Sequence, residues 1–272
     1  MHRPYERIPL LLLAASAAAG CAAPQPAGAV PGAPFAPIAA HRVDPGVAPA
    51  AWSTLGESRE GRPLEALTIG AGEPRIYLIG GIHGNEREGA QLVDQLLGGI
   101  ASGSGPAGTW RILRDLNPDG SAAARRTSGS SVDLNRNWPA TNFVKSARHG
   151  PEPLSEPETA AVHADLLAFR PQLVVVLHSA DGGPFVNFDG PARAYATDFA
   201  AAAEIVDPRW RVVADVGYPT PGSLGSWIGH DRMIPILTVE FRRGEDSPPA
   251  RLAALEGLMA TTRRVVGQEL AR

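Results

Sequence analysis

The chain has a single cysteine, Cys21, in 272 residues, so it cannot form an internal disulfide and its redox compartment is not readable from bridges. It has no run of Lys or Arg. Twenty-five basic residues stand against 28 acidic ones, for a formal net charge of −3. That balance excludes nucleic-acid binding through a basic surface and leaves small, neutral or modestly charged substrates. The apolar stretch from Ile8 to Ala19 is too short to span a bilayer as a helix, which takes roughly 20 residues. No internal repeat is present. With 44% hydrophobic and 19% charged residues, the remainder has the composition of one compact domain.

The first residues have a different character. Met1 to Arg7 carries His2, Arg3 and Arg7, an apolar stretch follows, and Ala18, Ala19, Gly20 and Cys21 close it. This is the order of a positive segment, a short hydrophobic segment and a small-residue cleavage site. Ala18-Ala19-Gly20-Cys21 resembles a bacterial lipobox, with Ala18 where Leu is more usual. Ordinary secretion with cleavage after Ala23 is the competing reading. The expectation is a signal peptide at 1–20 and export to the cell envelope or periplasm, with a lipid anchor at Cys21 as the only membrane attachment. Ala22 is not the Asp of inner-membrane retention, which points to the outer membrane. Pro24 to Pro49 is dominated by Ala, Pro and Gly and reads as a flexible tether spanning 21–50. The folded domain is expected at 51–272.

Within that domain short apolar runs alternate with helical stretches. Arg75 to Gly81, Trp110 to Leu113, Leu173 to Leu177 and Ile234 to Phe241 read as strands, the third buried on both faces. Glu86 to Leu97, a stretch from Ser155 to about Phe169, Tyr195 to Ile205 and a closing segment through Leu252 and Met259 read as helices. Ser155 and Glu158 have the spacing of a capping box. The alternation predicts an α/β fold: a three-layer sandwich around a mixed, mainly parallel, twisted sheet.

Four segments carry chemistry. Gly81-Ile-His83-Gly84-Asn-Glu86 follows a strand, and its His and Glu are two of the donor types that zinc takes. Gly81 and Gly84 allow a tight turn beside them. A solvated turn would explain His-x-x-Glu alone. His178 comes where the apolar run Leu173 to Leu177 ends, and ligand sites in open α/β sheets form at the carboxyl ends of strands. His149, His163 and His230 lie in more polar surroundings and are weaker candidates. Glu240 interrupts an apolar strand, which is costly unless the carboxylate is paired, with Arg242 or Arg243, or serves in proton transfer. Asn117-Pro-Asp-Gly120 reads as a turn. Arg126 follows, with Arg125 as a rival surface cation, and then Asp133-Leu-Asn135-Arg136-Asn137, whose Arg suits a carboxylate.

In this order the segments resemble the M14 family of zinc carboxypeptidases, over roughly Trp52 to the C-terminus. Leu154-Ser-Glu-Pro-Glu-Thr159 and Tyr218-Pro-Thr-Pro-Gly-Ser-Leu-Gly-Ser226 are most like the compact bacterial branch of murein tripeptide amidases. The resemblance implies one zinc ion held by His83, Glu86 and His178, with Glu240 as general base and acid. It implies that Arg126 steadies the oxyanion and that Asn135 and Arg136 grip a terminal carboxylate. Tyr218 is a candidate for the substrate-capping tyrosine. The implied substrate is a small peptide with a free carboxylate, a murein peptide cut at γ-D-Glu–diaminopimelate, and nucleic acid is excluded as a partner. A carboxypeptidase for ordinary peptides, a deacylase of N-acyl amino acids and a non-catalytic wall-binding lipoprotein are the alternatives. Asn135 to Asn137 speak against the deacylase.

Overall fold

The computed structural model describes residues 51–101 and 108–270. The expected signal peptide, the Cys21 anchor and the tether lie outside the described residues. Along the described chain run β1 (Ala51–Glu57), β2 (Pro63–Ile69), β3 (Arg75–Ile79), α1 (Glu88–Ala101), β4 (Thr109–Leu113), α2 (Pro118–Ala122), a 3₁₀ turn (Leu134–Arg136) and α3 (Pro157–Phe169). Then come β5 (Leu173–Ala180), β6 (Phe185–Asp189), α4 (Arg193–Val206), a π-helix (Gly225–Asp231), β7 (Ile236–Arg242) and α5 (Pro248–Leu270).

The strands form one sheet in the order β1-β2-β4-β3-β5-β7-β6. Its centre, β4-β3-β5-β7, is parallel, and β1, β2 and β6 join antiparallel at the two flanks. Side chains alternate across a strand, so a run buried on both faces feeds two cores. In β5, Leu173, Val175 and Leu177 enter one core with Leu92 and Val93 of α1, Phe199 of α4 and Leu258 of α5. Val174 and Val176 enter the other, with Val162 and Leu166 of α3 and Trp227 of the π-helix. Ile76 and Leu78 of β3 join the first core, Tyr77 and Ile79 the second. Helices on both faces of the sheet make the expected three layers. Among the described residues no helix is long and apolar enough to cross a membrane.

The departures from expectation are local. β5 does not stop at Leu177, because its ladder with β7 continues through His178↔Glu240 to Ala180↔Arg242. His178 is therefore the sixth residue of a strand rather than the residue after one. The first helix begins at Glu88, which leaves Glu86 on the loop before it. The Ser155 capping box does not form: Pro157 opens α3, Glu156 is its N-cap, and the hydroxyl of Ser155 accepts from Asn137 Nδ2 at 2.9 Å. Glu158 instead accepts the backbone N–H of Arg59 at 2.9 Å. Asn117-Pro-Asp-Gly120 is the start of a short helix, with Asn117 Oδ1 accepting the Gly120 N–H at 2.9 Å as its cap.

Candidate active site and metal centre

The loop between β3 and α1 carries the first two site residues. Gly81 has φ 63°, and a side chain there would strike Asp115. Gly84 packs so closely on the backbone of Gly120 and Ser121 that a Cβ would overlap both. The loop is thereby seated on α2. The Glu86 N–H bonds to the His83 carbonyl at 3.0 Å, bringing the two side chains together. Asn117 extends the same scaffold to Arg126, donating from Nδ2 to the Arg126 carbonyl at 3.1 Å.

Strand alternation supplies the other two. His178 shares the face of Val174 and Val176, and Glu240 shares that of Ile236, so both look toward the α3 side of the sheet. They stand directly across from each other in the ladder, at the carboxyl ends of parallel strands.

His83, Glu86 and His178 are buried, with one donor atom from each lying within 4.8 Å of the others. His83 Nδ1 is 3.0 Å from Glu86 Oε1, His178 Nδ1 is 2.9 Å from Glu86 Oε2, and the two Nδ1 atoms are 3.1 Å apart. A proton on one imidazole nitrogen satisfies only some of these contacts, whereas a cation among the three donors satisfies all of them. Two imidazoles and a carboxylate are the three-ligand set of a catalytic zinc site, so the residues fit the metal. The outer shell agrees. His83 Nε2 meets the buried carboxylate of Asp133 at 3.1 Å, which fixes that nitrogen as the donor and leaves Nδ1 free for a ligand. Asp133 also accepts Arg126 Nε at 3.0 Å, Arg148 Nη2 at 3.3 Å and the Asn135 N–H at 3.0 Å.

Burial pushes the Glu86 carboxyl up, but the hydrogen bonds and charges of His178 and His83 outweigh it and hold the group well below the usual range. Asp133 is depressed in the same way, burial being overcome by His83, Arg126 and Arg136. Burial lowers His178, yet its bond to Glu86 leaves it raised. Glu240 is raised by burial, with the Glu86 charge adding to the shift and His178, His83 and Arg126 opposing it. Among the described residues no hydrogen bond or ion pair reaches Glu240, so its expected alternative partners, Arg242 and Arg243, do not hold it.

One cleft of about 400 Å³ gathers His83, Glu86, His178, Glu240, Arg126, Asn135 and Arg136, together with Tyr218. Arg126 reaches Glu86 Oε1 at 3.3 Å, while Arg125 turns outward to Glu60 at 3.2 Å. Asn135 is set by the Leu224 N–H, which donates to its Oδ1 at 3.0 Å. His149 bonds the Val144 carbonyl, His163 packs on Trp227 and His230 meets Asp189, so none of them joins the triad. A shallower groove of about 640 Å³ between α4 and α5 has one carboxylate in its lining, Asp198, which is ion-paired with Arg264, and it gathers no cluster of metal-ligating groups.

The structure adds residues that the sequence did not single out. In the sequence Asp133 is only the first residue of the Asp133–Asn137 segment. It caps the 3₁₀ turn, and it also orients His83. Asp189 of β6 and Asp215 line the cleft, as does Arg243, which the sequence offered only as a possible partner of Glu240. The sequence signal for Asp189 is an acid in a strand next to Asn187, on the face opposite Val186. Such a pattern is legible only once β6 is recognised.

The fold and the triad define a metallopeptidase, and comparison with known proteins gives the family. The zinc carboxypeptidase profile matches residues 50–247, and the chain belongs to that family, whose members are hydrolases that use zinc. Among curated relatives, murein peptide amidase A of Escherichia coli K12 is 29% identical over 217 residues, covering 74% of this chain and 85% of that protein. Mouse carboxypeptidase D is 31% identical over 160 residues, covering 50% of this chain and 11% of that one. Among solved structures, the murein-tripeptide amidase of E. coli O157 has a TM-score of 0.58 at 24% identity, covering 86% of this chain and 96% of that one. Carboxypeptidase A of Helicoverpa armigera has a TM-score of 0.69 at 18% identity, covering 80% and 69%.

Proposed function

We propose that this zinc carboxypeptidase hydrolyses a murein peptide at the amide between the γ-carboxyl of D-glutamate and diaminopimelate. The observation that carries the reading is the charge pattern of the cleft. Cations, Arg126 and Arg136, share it with carboxylates outside the metal triad, Asp189 and Asp215. Burial raises the Asp189 carboxyl, partly offset by His230 at 3.0 Å. A leaving residue with a carboxylate beside the scissile amide and an ammonium on its side chain matches that pattern, and diaminopimelate has both, its side chain ending in an ammonium and a second carboxylate. The relationship to murein peptide amidase A supports the same substrate class.

The roles follow from position. His83, Glu86 and His178 would hold zinc, which when bound would supply Lewis acidity toward the carbonyl and water. Asn135 and Arg136 grip the carboxylate of the leaving residue, Arg136 offering a bidentate fork. Arg126, its Nε fixed on Asp133, points Nη1 into the cleft to offset negative charge as it develops on the carbonyl oxygen. Glu240, unpaired and raised by burial, accepts the proton of the attacking water and returns it to the departing amine.

The test is to incubate the zinc-loaded chain with L-Ala-γ-D-Glu-meso-diaminopimelate and follow it by mass spectrometry. Release of free diaminopimelate, abolished by a chelator, is expected. An intact tripeptide alongside turnover of L-peptides or N-acyl amino acids would refute the substrate. The N-terminal pattern around Cys21 motivates a second proposal, that the enzyme works in the envelope on a lipid anchor. Fatty-acid labelling that persists in a Cys21→Ala chain would overturn it.

A further inference from the structure

Three guanidinium groups line the cleft, and the proposed reaction uses two. Arg136 is assigned to the leaving carboxylate and Arg126 to the carbonyl oxygen. The third, Arg243, follows Glu240 at the end of β7. Its Nη2 donates to the Ser179 carbonyl at 2.9 Å and stands 3.5 Å from Glu86 Oε1, and its Nε is 3.3 Å from Asp181 Oδ1. The Asp181 side chain is 93% exposed, so that ion pair is screened and a ligand carboxylate can replace it at little cost. Arg243 therefore holds a partly exposed fork, anchored by the backbone of β5 and facing the cleft, with no task in hydrolysing a peptide that has one carboxylate.

Its place indicates the task. Arg136 enters from the 3₁₀ turn, on the side of Asn135 and Tyr218. Arg243 enters from the other strand neighbour of the triad, at Ser179 and Glu86. With the leaving residue's α-carboxylate on Arg136 and its side-chain end, ammonium and second carboxylate, drawn toward Asp189 and Asp215, the guanidinium at the Glu86 edge is left for the acyl portion. An ordinary α-linked peptide has no anion there. A γ-linked glutamate does, because its free α-carboxylate lies a short alkyl stem from the scissile carbonyl. We propose that Arg243 is a specificity-determining residue that binds this α-carboxylate and so selects γ-glutamyl over α-linked amides. This rests on the substrate reading above and adds a requirement to it.

The test compares γ-D-Glu-meso-diaminopimelate with its α-carboxamide analogue. Calorimetry on the full zinc-loaded chain carrying Glu240→Gln measures binding without turnover. The acid is expected to bind about tenfold tighter than the amide, the scale of one charge-assisted contact at a partly exposed site. Adding Arg243→Gln should collapse that ratio toward one, with zinc content unchanged. Arg243→Lys, which keeps the charge and loses the fork, should retain part of it. Persistence of the full ratio with Arg243→Gln would overturn the proposal, as would an equal loss for acid and amide. So would loss of a preference for diaminopimelate over lysine instead, which would put the guanidinium on the leaving side. If the wild-type chain cleaves acid and amide equally well, this inference alone fails. If it cleaves and binds neither, the substrate reading fails and takes the inference with it.

Discussion

Replacing Asp133 by Asn separates the metal site from its support. The carboxylate is fully buried and takes four donors: His83 Nε2 at 3.1 Å, Arg126 Nε at 3.0 Å, the Asn135 N–H at 3.0 Å and Arg148 Nη2 at 3.3 Å. Asparagine is isosteric but keeps one acceptor oxygen, uncharged, and turns an N–H toward one of the four donors. Arg148 is 62% exposed and can turn to water, so its loss costs little. His83 and Arg126 cannot escape as easily. Losing the outer partner of a ligating histidine typically weakens metal binding about 10–100-fold, or about 1.4–2.8 kcal/mol. The disrupted buried network should also cost about 1–3 kcal/mol of metal-free stability. The folded-state pKa of Asp133 is depressed, so its contribution is present above the unfolded carboxylate value and is lost as pH falls toward the folded one. The wild-type advantage over Asp133→Asn should therefore shrink in acid. Competition against a chromophoric chelator gives the zinc Kd, and thermal melts of the apo protein across pH give the rest. A zinc Kd within about twofold of wild type would refute the reasoning that Asp133 directs the His83 lone pair.

Other outcomes follow from the same geometry. Glu240→Gln should retain zinc and lose about 10²–10⁴ in kcat, the usual worth of a positioned acid–base group, and near-normal turnover would remove the assigned role. Because burial raises Glu240 and the base must be ionised, kcat/KM should climb with pH through a value above the ordinary Glu pKa of about 4.3; an acidic limb at or below it would contradict the site. His178→Ala removes one of three ligands and should leave the purified protein short of zinc, whereas full occupancy by elemental analysis would count against the triad. Gly84→Ala forces a methyl into the backbone of Gly120 and Ser121, a clash worth about 1–3 kcal/mol or more, and an unchanged Tm would show that the loop is not seated on α2 as described.

The inner strands were legible because β3 and β5 are buried on both faces, and β7 on the face of Leu237, Val239 and Phe241, and they therefore write long apolar runs into the sequence. β1 and β6 lie at the two edges of the sheet and β2 next to one of them, with exposed or half-exposed positions in each, and no such run marks them. The same difference explains His178. The apolar run ends at Leu177, but strand length is set by pairing, and β7 supplies three further partners. Arg125 and Arg126 could not be told apart from sequence, since the choice depends on which carbonyl Asn117 Nδ2 captures. Asp133 was invisible in its main role because its partner His83 comes from a distant loop. Glu240 was legible as an anomaly: a carboxylate among Val239, Phe241 and Leu237 demands a reason before any fold is known.

The two carboxylates Glu86 and Glu240 reach one cleft, and the backbone decides which becomes ligand and which becomes base. Burial pushes both upward. Glu86, on a loop, is free to turn toward both imidazoles, and the Ser179 N–H at the end of β5 adds a donor to Oε2 at 3.1 Å, so its ionised form is held. Glu240 sits in β7 between β5 and β6, its main chain engaged in both ladders. Neighbouring strands present it with a histidine across one ladder and Phe185 across the other, neither of which bonds its carboxylate. The charge on Glu86 then adds to the upward push on Glu240. Paired acids with diverging pKa values are what acid–base division of labour requires. A base left without a protein partner has one direction in which to exchange its proton, into the cleft, where the attacking water and the leaving amine must meet it.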